Sequence, residues 1–383
     1  MINNPAIKKI KAAVIGCGAI HHIYLQNMTQ IFSILDVVAC CDLNKELAQE
    51  TAKEYNIEVK TEDEIKADAS IEMVINLTNP LAHYSVISGM LKAGKHVYTE
   101  KTITDKIEDA FKLVELADEK GLHLGAAPDT FLGAALQTAR WALDAGMIGR
   151  PTSCVATLNR DGGLMAERFP YTARPGGGIA LDVGIYYVTA LLSLLGPVSE
   201  VCGFYDTVDK ERTHWFTSKE DFGQKYTVEN ENLLAGSMRF SNGVIGSLQF
   251  NSNCIQNEAP FMTIFGTQGI LYLPNPNHFG GEVRFQAKGT WDTIVLPHTH
   301  GYAENSRGLG CADMAWAITK NRLPRADKSL ALHCMEVLTG IMESSESKTF
   351  HTMKSTFKRP EPIPRGYLGK NYSMSEEESA LTV

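Results

Sequence analysis

The sequence predicts two domains, a doubly wound α/β domain followed by an α+β domain. Short apolar runs alternate with amphipathic helical stretches through the first third of the chain, which predicts a parallel sheet with helices on both faces. A glycine-bearing turn follows the first of those runs. From Asp129 onward the pattern changes to strand-like runs separated by turn signals such as Ser241-Asn242-Gly243. At 383 residues the chain has room for two or three hydrophobic cores.

The first apolar run, Ala12 to Ile15, enters Gly16 and Gly18 and then a helical pattern, the phosphate-binding start of a doubly wound fold. Glycine is needed where the backbone turns sharply and lies against a pyrophosphate. Gly16, Gly18, Ala19 and Ile20 are the residues expected to cradle it. His21 stands where the third glycine of the fingerprint would be, and at most one of His21 and His22 is expected beside the phosphates. The second run, Leu35 to Asn44, contains Asp42 24 residues past Gly18, where a carboxylate holds the adenosine ribose hydroxyls. An acid there repels a 2′-phosphate, so NAD is expected in preference to NADP. The competing reading makes Asp42 the N-cap of the helix NKELAQETAKEY.

A strand over Ile71–Thr78, a helix closing at Gly94, the strand KHVYTE, the helix DKIEDAFKLVELADEKG and the strand LHLGAA complete the alternation. Such sheets bind ligands at the carboxyl ends of their strands, where Thr78, Asn79, Pro80, Glu100 and Lys101 join Gly16 and Asp42. His83, four residues past Asn79, either turns toward the nicotinamide or lies on the surface.

The second domain opens with a helix ending near Gly146 and the strand PTSCVATLNR, which ends at Arg160. Three glycines, Gly176 to Gly178, then lead into a buried helix over Ile179–Leu195, stopped by Gly196-Pro197. Asp182, Tyr186, Thr189 and Ser193 fall at i, i+4, i+7 and i+11, a polar stripe that a substrate cleft would explain. The bland reading makes Asp182 a first-turn acid on the helix dipole and Tyr186 a core ring. Runs at ENLLAGSMRFSN, GVIGSLQFNS, FMTIFGTQGILYLP and EVRFQAKGTWDTIVLP suit an antiparallel meander, and helices follow at Leu309–Thr319 and SLALHCMEVLTGIMESSES. His333 is expected to be structural. The tail 351–383 reads as an extended arm, partly disordered, that could pack on another subunit.

A net charge of −8 and a pI near 5.8 argue against nucleic acid or an anionic membrane surface as partner. Eight cysteines without a CxxC spacing read as thiols in a reducing compartment, and the N-terminus lacks an apolar leader, so a cytoplasmic location is expected. The histidines of His298-Thr299-His300 lack a third ligand nearby, and no metal is expected.

The stretches IGCGAIHHIY, NLTNPLAHY, AGKHVYTEKT and GGGIALDVGIYY, with FGTQGILYLPNPN later, occur in the order that resembles the Gfo/Idh/MocA family of NAD(P)-dependent oxidoreductases. The resemblance implies an α/β Rossmann domain over 1–128. It also implies an α+β domain with a large, open, mostly antiparallel sheet over 129–350, followed by the arm 351–383. It further implies hydride transfer to or from sugars, polyols or their derivatives, and a homo-oligomer, dimer or tetramer, built through the sheet. Two departures stand out. Thr102 replaces the proline usual after Glu100-Lys101, which leaves the lysine backbone less restricted. Tyr186 stands where many members carry histidine, a variant resembling glucose–fructose oxidoreductase and dihydrodiol dehydrogenase.

The expected roles follow from that resemblance and the chemistry. Lys101 orients the substrate hydroxyl, Tyr186 is the acid–base group, and Asp182 binds a neighbouring sugar hydroxyl and holds the lysine. Tyr187 lies off the stripe. Arg160 and Asp161 either reach the substrate or form a surface ion pair, and the resemblance places Asn305 near the cleft. Three alternatives stand beside this reading: a redox-neutral enzyme that retains its NAD during elimination or epimerisation, a reductase of a diol or imine, and a non-catalytic NAD(H)-binding sensor.

Overall fold

The computed structural model describes residues 8–255 and 261–365. Strands β1 (Ile10–Ile15), β2 (Leu35–Cys41), β3 (Glu58–Val59), β4 (Met73–Asn76), β5 (His96–Thr99) and β6 (Leu124–Ala126) form a parallel sheet in the order β3-β2-β1-β4-β5-β6. Helices α1 (His21–Gln30), α2 (Lys45–Tyr55), α3 (Glu62–Ala67), α4 (Pro80–Lys92) and α5 (Ile107–Lys120) connect them. The strand order reverses beside β1, which pairs with both β2 and β4, so a crevice opens at the carboxyl ends of β1 and β4. All four residues of β4 are buried, as expected of a strand covered on both faces.

The second domain begins with a 3₁₀ turn at Thr130–Leu132 and α6 (Ala134–Asp144). Its nine-stranded sheet contains β7 (Pro151–Asn159), β8 (Val198–Asp206), β11 (Leu233–Phe240), β12 (Ile245–Asn251), β13 (Phe261–Gly266), β14 (Gly269–Leu273), β15 (Val283–Ala287), β16 (Ile294–Leu296) and β17 (His351–Thr352). The order is β16-β15-β14-β13-β7-β12-β11-β8-β17, with β7 and β12 parallel and the other neighbours antiparallel. A small hairpin, β9 (Glu211–Thr213) and β10 (Lys225–Thr227), and α7 (Gly162–Arg168) were not legible in the sequence pattern. Along β12, Ile245, Ser247 and Gln249 are exposed while Gly246, Leu248 and Phe250 are buried, so one face of the sheet is open.

On the covered face lie α8 (Ile185–Leu195) and α10 (Lys328–Ser347); α10 packs on α8 and on β8 and β11. Paired Gly203 and Gly236 make a trough for Ile341 of α10, since a Cβ on either would approach that side chain within 3 Å. The chain then returns to the first sheet. Helix α9 (Leu309–Lys320) contacts β5 and β6, α10 packs on α5, and Ala126 N donates to Ala326 O at 3.2 Å. The first sheet thus takes part of its coat from the far end of the chain.

The described part of the arm, 351–365, docks on its own chain rather than reaching away from it. Ile363 N donates to Gln137 Oε1 at 2.8 Å, Arg140 Nη1 donates to Pro360 O at 2.7 Å, and Arg325 donates to Pro362 O. The rest of the tail, 366–383, lies outside the described residues.

Candidate functional site

The glycine turn is built as a phosphate cradle. Gly16 has φ +101°, and a Cβ there would lie 2.7 Å from the Leu77 carbonyl carbon. Gly18 differs: no heavy atom lies within 4 Å of where its Cβ would stand, so the missing side chain opens onto free space. Behind Ala19, the N-cap of α1 is Ile20, which offers its helix no side-chain acceptor; His21 N donates to Gly18 O, and the N–H groups after it in the first turn have no side-chain cap and suit an anion. His21 turns away from that space, with Nδ1 2.5 Å from Gly18 O and Nε2 3.1 Å from Thr51 Oγ1, and so fastens α1 to α2.

Asp42 Oδ2 accepts from Cys17 N at 2.7 Å and its Oδ1 accepts from Asn44 N, which ties the end of β2 to the glycine turn. It does not cap α2. Asn44 does, accepting from Glu46 N and Leu47 N. At the end of β4, Thr78 Oγ1 donates to Asn76 Oδ1, Asn79 caps α4 and Pro80 is its first residue. These donors and open spaces fit a dinucleotide.

His83 is fully buried, which excludes the surface reading. Its ring nitrogens lie 2.5 Å from Thr102 O and 2.9 Å from Thr78 O, so it joins the segments that follow two strands. Burial lowers its pKa despite these two carbonyls. The same contact holds the Thr102 backbone where the usual proline is absent, and the Lys101–Thr102 peptide is cis. Glu100 accepts from Tyr24 OH at 2.7 Å and from Lys101 N at 3.0 Å, fixing the lysine from behind.

Lys101 Nζ donates at 2.8 Å to both the main-chain oxygen and Oδ1 of Asp182, across the junction of the two domains. Two of three ammonium hydrogens are thus engaged, leaving one for a substrate oxygen. Asp182 is more heavily used than the sequence suggested. Its Oδ1 also accepts from Tyr171 OH at 3.0 Å, and its Oδ2 accepts from Arg160 Nη1 at 2.9 Å. Burial works against its charge, yet Lys101 and Arg160 outweigh burial and hold its pKa down to about 2. For Lys101, burial pulls downward but Asp182, Tyr186 and Tyr171 raise it well above the ordinary lysine range. Arg160 is buried, with Nε on Ser252 Oγ at 2.9 Å, so it is not a surface ion pair. Asp161 N-caps α7.

Tyr186 is the first residue but one of α8, after a wider π-helical turn over Ala180–Gly184. The ammonium of Lys101 stands 6.0 Å from its ring centroid. Burial raises the phenol's pKa, while Lys101 and Arg307 oppose that rise. Tyr187 faces the core against Phe250. The predicted stripe ends at Tyr186. Thr189 Oγ1 lies 3.2 Å from Cys334 Sγ and Ser193 donates to Ala190 O, so both serve the interior.

Arg307, Tyr171 and Glu231 belong to the site's surroundings and were missed. Glu231 explains Gly178, the last of the three glycines: a Cβ there would lie 2.0 Å from its carboxylate, which accepts from Ala180 N at 3.1 Å. Burial pushes the pKa of Glu231 up to about 7. Asn305 is exposed, and its side chain serves Arg307. The histidines of 298–300 contact Gly281 O and Ile363 O, and His333 accepts from Val198 N. His214 turns opposite ring nitrogens to Glu167 and Asp221, with Lys219 Nζ 3.3 Å from Glu167, an ion-paired cluster that fastens the small hairpin to α7.

Residues 10–127 match the oxidoreductase family with an NAD-binding Rossmann fold, GFO_IDH_MocA, and residues 136–272 match the GFO/IDH/MocA C-terminal domain. An uncharacterized oxidoreductase of Schizosaccharomyces pombe is 30% identical over 195 residues, 49% of this chain and 52% of that protein. The match to such relatives thus spans about half their length. The scyllo-inositol 2-dehydrogenase (NAD(+)) of Bacillus subtilis is 23% identical over 75% of this chain and 80% of its own. A solved levoglucosan dehydrogenase, in complex with NADH and L-sorbose, superposes with a TM-score of 0.76 at 18% identity, covering 91% of this chain and 99% of that one. With both domain signatures present, in order, on the two sheets described above, the chain belongs to the Gfo/Idh/MocA family.

Proposed function

We propose that this protein is an NAD-dependent oxidoreductase that moves a hydride between nicotinamide and a secondary hydroxyl or keto carbon of a sugar-like substrate. The buried meeting of Lys101, Asp182 and Tyr186 at the carboxyl ends of the dinucleotide sheet carries this reading. NAD, when bound, supplies the hydride acceptor. The third hydrogen of Lys101 donates to the reacting oxygen and polarises it, and Asp182 keeps the ammonium charged and aimed. Tyr186 takes the hydroxyl proton in oxidation and returns it in reduction. Its raised pKa suits the acid role at neutral pH, and the flanking cations assist the base role. Arg160 and Tyr171 position Asp182.

The names of two relatives, a scyllo-inositol dehydrogenase and a levoglucosan dehydrogenase, support a cyclic polyol or sugar as substrate class. Asp42 at the end of β2 supports NAD over NADP. The open face of the second sheet supports a homo-oligomer. Ala235, Ser237, Ser247 and Cys202 make a shallow concavity of about 740 Å³ there, with Phe204 and Phe350 exposed beside it. Among the described residues no helix is long and apolar enough to cross a membrane.

NADH formation at 340 nm over a panel of inositols, anhydrosugars and pentoses tests the reading, with sedimentation of the same preparation to count subunits. The expected result is NADH from at least one cyclic polyol or sugar, and less product with NADP. NAD bound without NADH from any member of the panel would overturn it.

Gly18→Ala separates a cofactor role from a folding role. No protein atom meets the added methyl, so the melting temperature should stay that of the parent while NADH affinity, read by fluorescence titration, falls roughly tenfold, about 1.4 kcal/mol. Gly16→Ala should lose both, because its Cβ strikes the Leu77 backbone.

A further inference from the structure

We propose that Glu231 is a positioning residue for the Lys101–Asp182 pair, capping from a distant loop the first turn of the segment that carries Asp182 and Tyr186. The inference rests on the functional reading of that pair given above, and it concerns what holds the pair in register.

Glu231 stands two residues before β11. Its main-chain oxygen accepts from Ile179 N at 3.2 Å, and its Oε1 accepts from Ala180 N at 3.1 Å. Ile179 is the local N-cap of the π-helical turn and supplies no side-chain acceptor. The two bonds from Glu231 therefore satisfy donors that a local serine or aspartate would ordinarily take. The space is reserved for this carboxylate, because a Cβ on Gly178 would lie 2.0 Å from its Oε1. Gly178 O in turn accepts from Asp182 N at 2.8 Å. Glu231 thus grips the turn that presents both Asp182 O and Asp182 Oδ1 to Lys101 Nζ.

The residues on either side of Glu231 serve the same carboxylate. Asn230 is buried and donates Nδ2 to Thr172 O at 2.9 Å and to Arg174 O at 2.6 Å, which fixes the turn whose Tyr171 hydroxyl bonds Asp182. Asn232 O accepts from Ser252 N at 2.7 Å, and Ser252 Oγ holds Arg160 Nε. Three consecutive residues fasten three elements that converge on Asp182. Of the three, only Glu231 acts on the helical turn that bears it.

The charged and titratable groups near Glu231 are Arg160, at the end of β7, and Arg212, on β9, which line one small cavity with it, and Tyr205, on β8, which is bonded to Glu346. Lys101 is faced by Asp182 and Tyr186 from the helix and by Tyr171 from its turn, with Glu100 behind it. Loosening the turn draws the Asp182 charge back from Lys101, and burial then moves the ammonium toward its neutral form.

The test is the pH profile of kcat for the substrate found in the NADH panel, in Glu231→Ala, Glu231→Gln and the double variant Glu231→Ala with Asp182→Asn. Glu231→Ala should lower kcat roughly tenfold or more, the cost of a small misplacement, while NADH affinity stays that of the parent. Its activity should also decline at a pH lower than the parent's by roughly 1 unit. Glu231→Gln keeps an acceptor for Ala180 N and should recover part of both effects. It also keeps the question answerable if the alanine variant does not fold. In the Asp182→Asn background the charge is already gone, so Glu231→Ala should move the decline no further. A decline left where the parent has it in both single variants, with activity lost only in step with a lower melting temperature, would make Glu231 merely structural and overturn the proposal. If Asp182→Asn alone leaves turnover and its pH profile unchanged, the reading beneath the proposal has failed, an outcome distinct from an unmoved decline in the Glu231 variants.

Discussion

Tyr186→Phe is expected to lower turnover by roughly 10²–10⁴-fold, the usual worth of a positioned proton-transfer group, with little change in melting temperature. The ring is buried and its packing is conserved in phenylalanine, so no cavity forms. Arg307 is held by Asn277 and Asn305, so its guanidinium stays partnered. Lys101 stays bound to Asp182 and can still orient substrate, so the loss should fall on kcat and much less on KM. Tyr187→Phe is the control, because that ring packs against Phe250 in the core and should turn over like the parent. Near-normal turnover of a folded Tyr186→Phe variant would remove the tyrosine from the chemistry.

The dinucleotide half of the molecule was legible because a parallel sheet covered on both faces leaves near-continuous apolar runs, and its ligand groups sit at the ends of those runs. Ile10–Ile15, Met73–Asn76 and His96–Thr99 end at Gly16, Leu77 and Glu100, so the spacing reports the place. Asp42 was read either as a ribose ligand or as the cap of α2, but Asn44, an equally good cap two residues on, takes that place. The polar stripe along α8 was overread. A serine can satisfy its hydroxyl on the carbonyl three residues back, as Ser193 does on Ala190 O, so polar periodicity does not by itself mean a cleft.

The rest of the site was illegible for another reason: it is assembled by contacts between distant segments. Glu231 meets Gly178, and Tyr171 meets Asp182. Nothing in the local pattern around Arg307 separates it from a surface arginine in a polar loop. The signal that existed was Asn305, two residues earlier, placed near the cleft by resemblance and now seen holding the arginine. The small hairpin was hidden because strands of three residues carry too few positions to display an alternation.

Asp182→Ala should have the second large effect, on stability as well as on turnover. The carboxylate lies between Lys101 and Arg160, all three largely buried. Removing one member of a buried ionic group strands the others, typically at a cost of about 3–5 kcal/mol. Asp182→Asn keeps the shape and can still accept hydrogen bonds, so it should fold better, but it removes the charge that does most to offset the burial driving Lys101 toward its neutral form. The lysine would lose charge as pH rises, and activity in Asp182→Asn should decline at a lower pH than in the parent. Stability of the parent carries the matching acid signature. The folded pKa of Asp182, about 2, lies below the unfolded value, so its contribution is complete above the ordinary aspartate range and is lost as pH falls through about 2. Chemical denaturation of parent and Asp182→Asn between pH 2 and 7 should show the two curves converging at the acid end. Curves that stay parallel would mean the carboxylate is not held as an ion by Lys101 and Arg160, and the proposed charge on the lysine would lose its support.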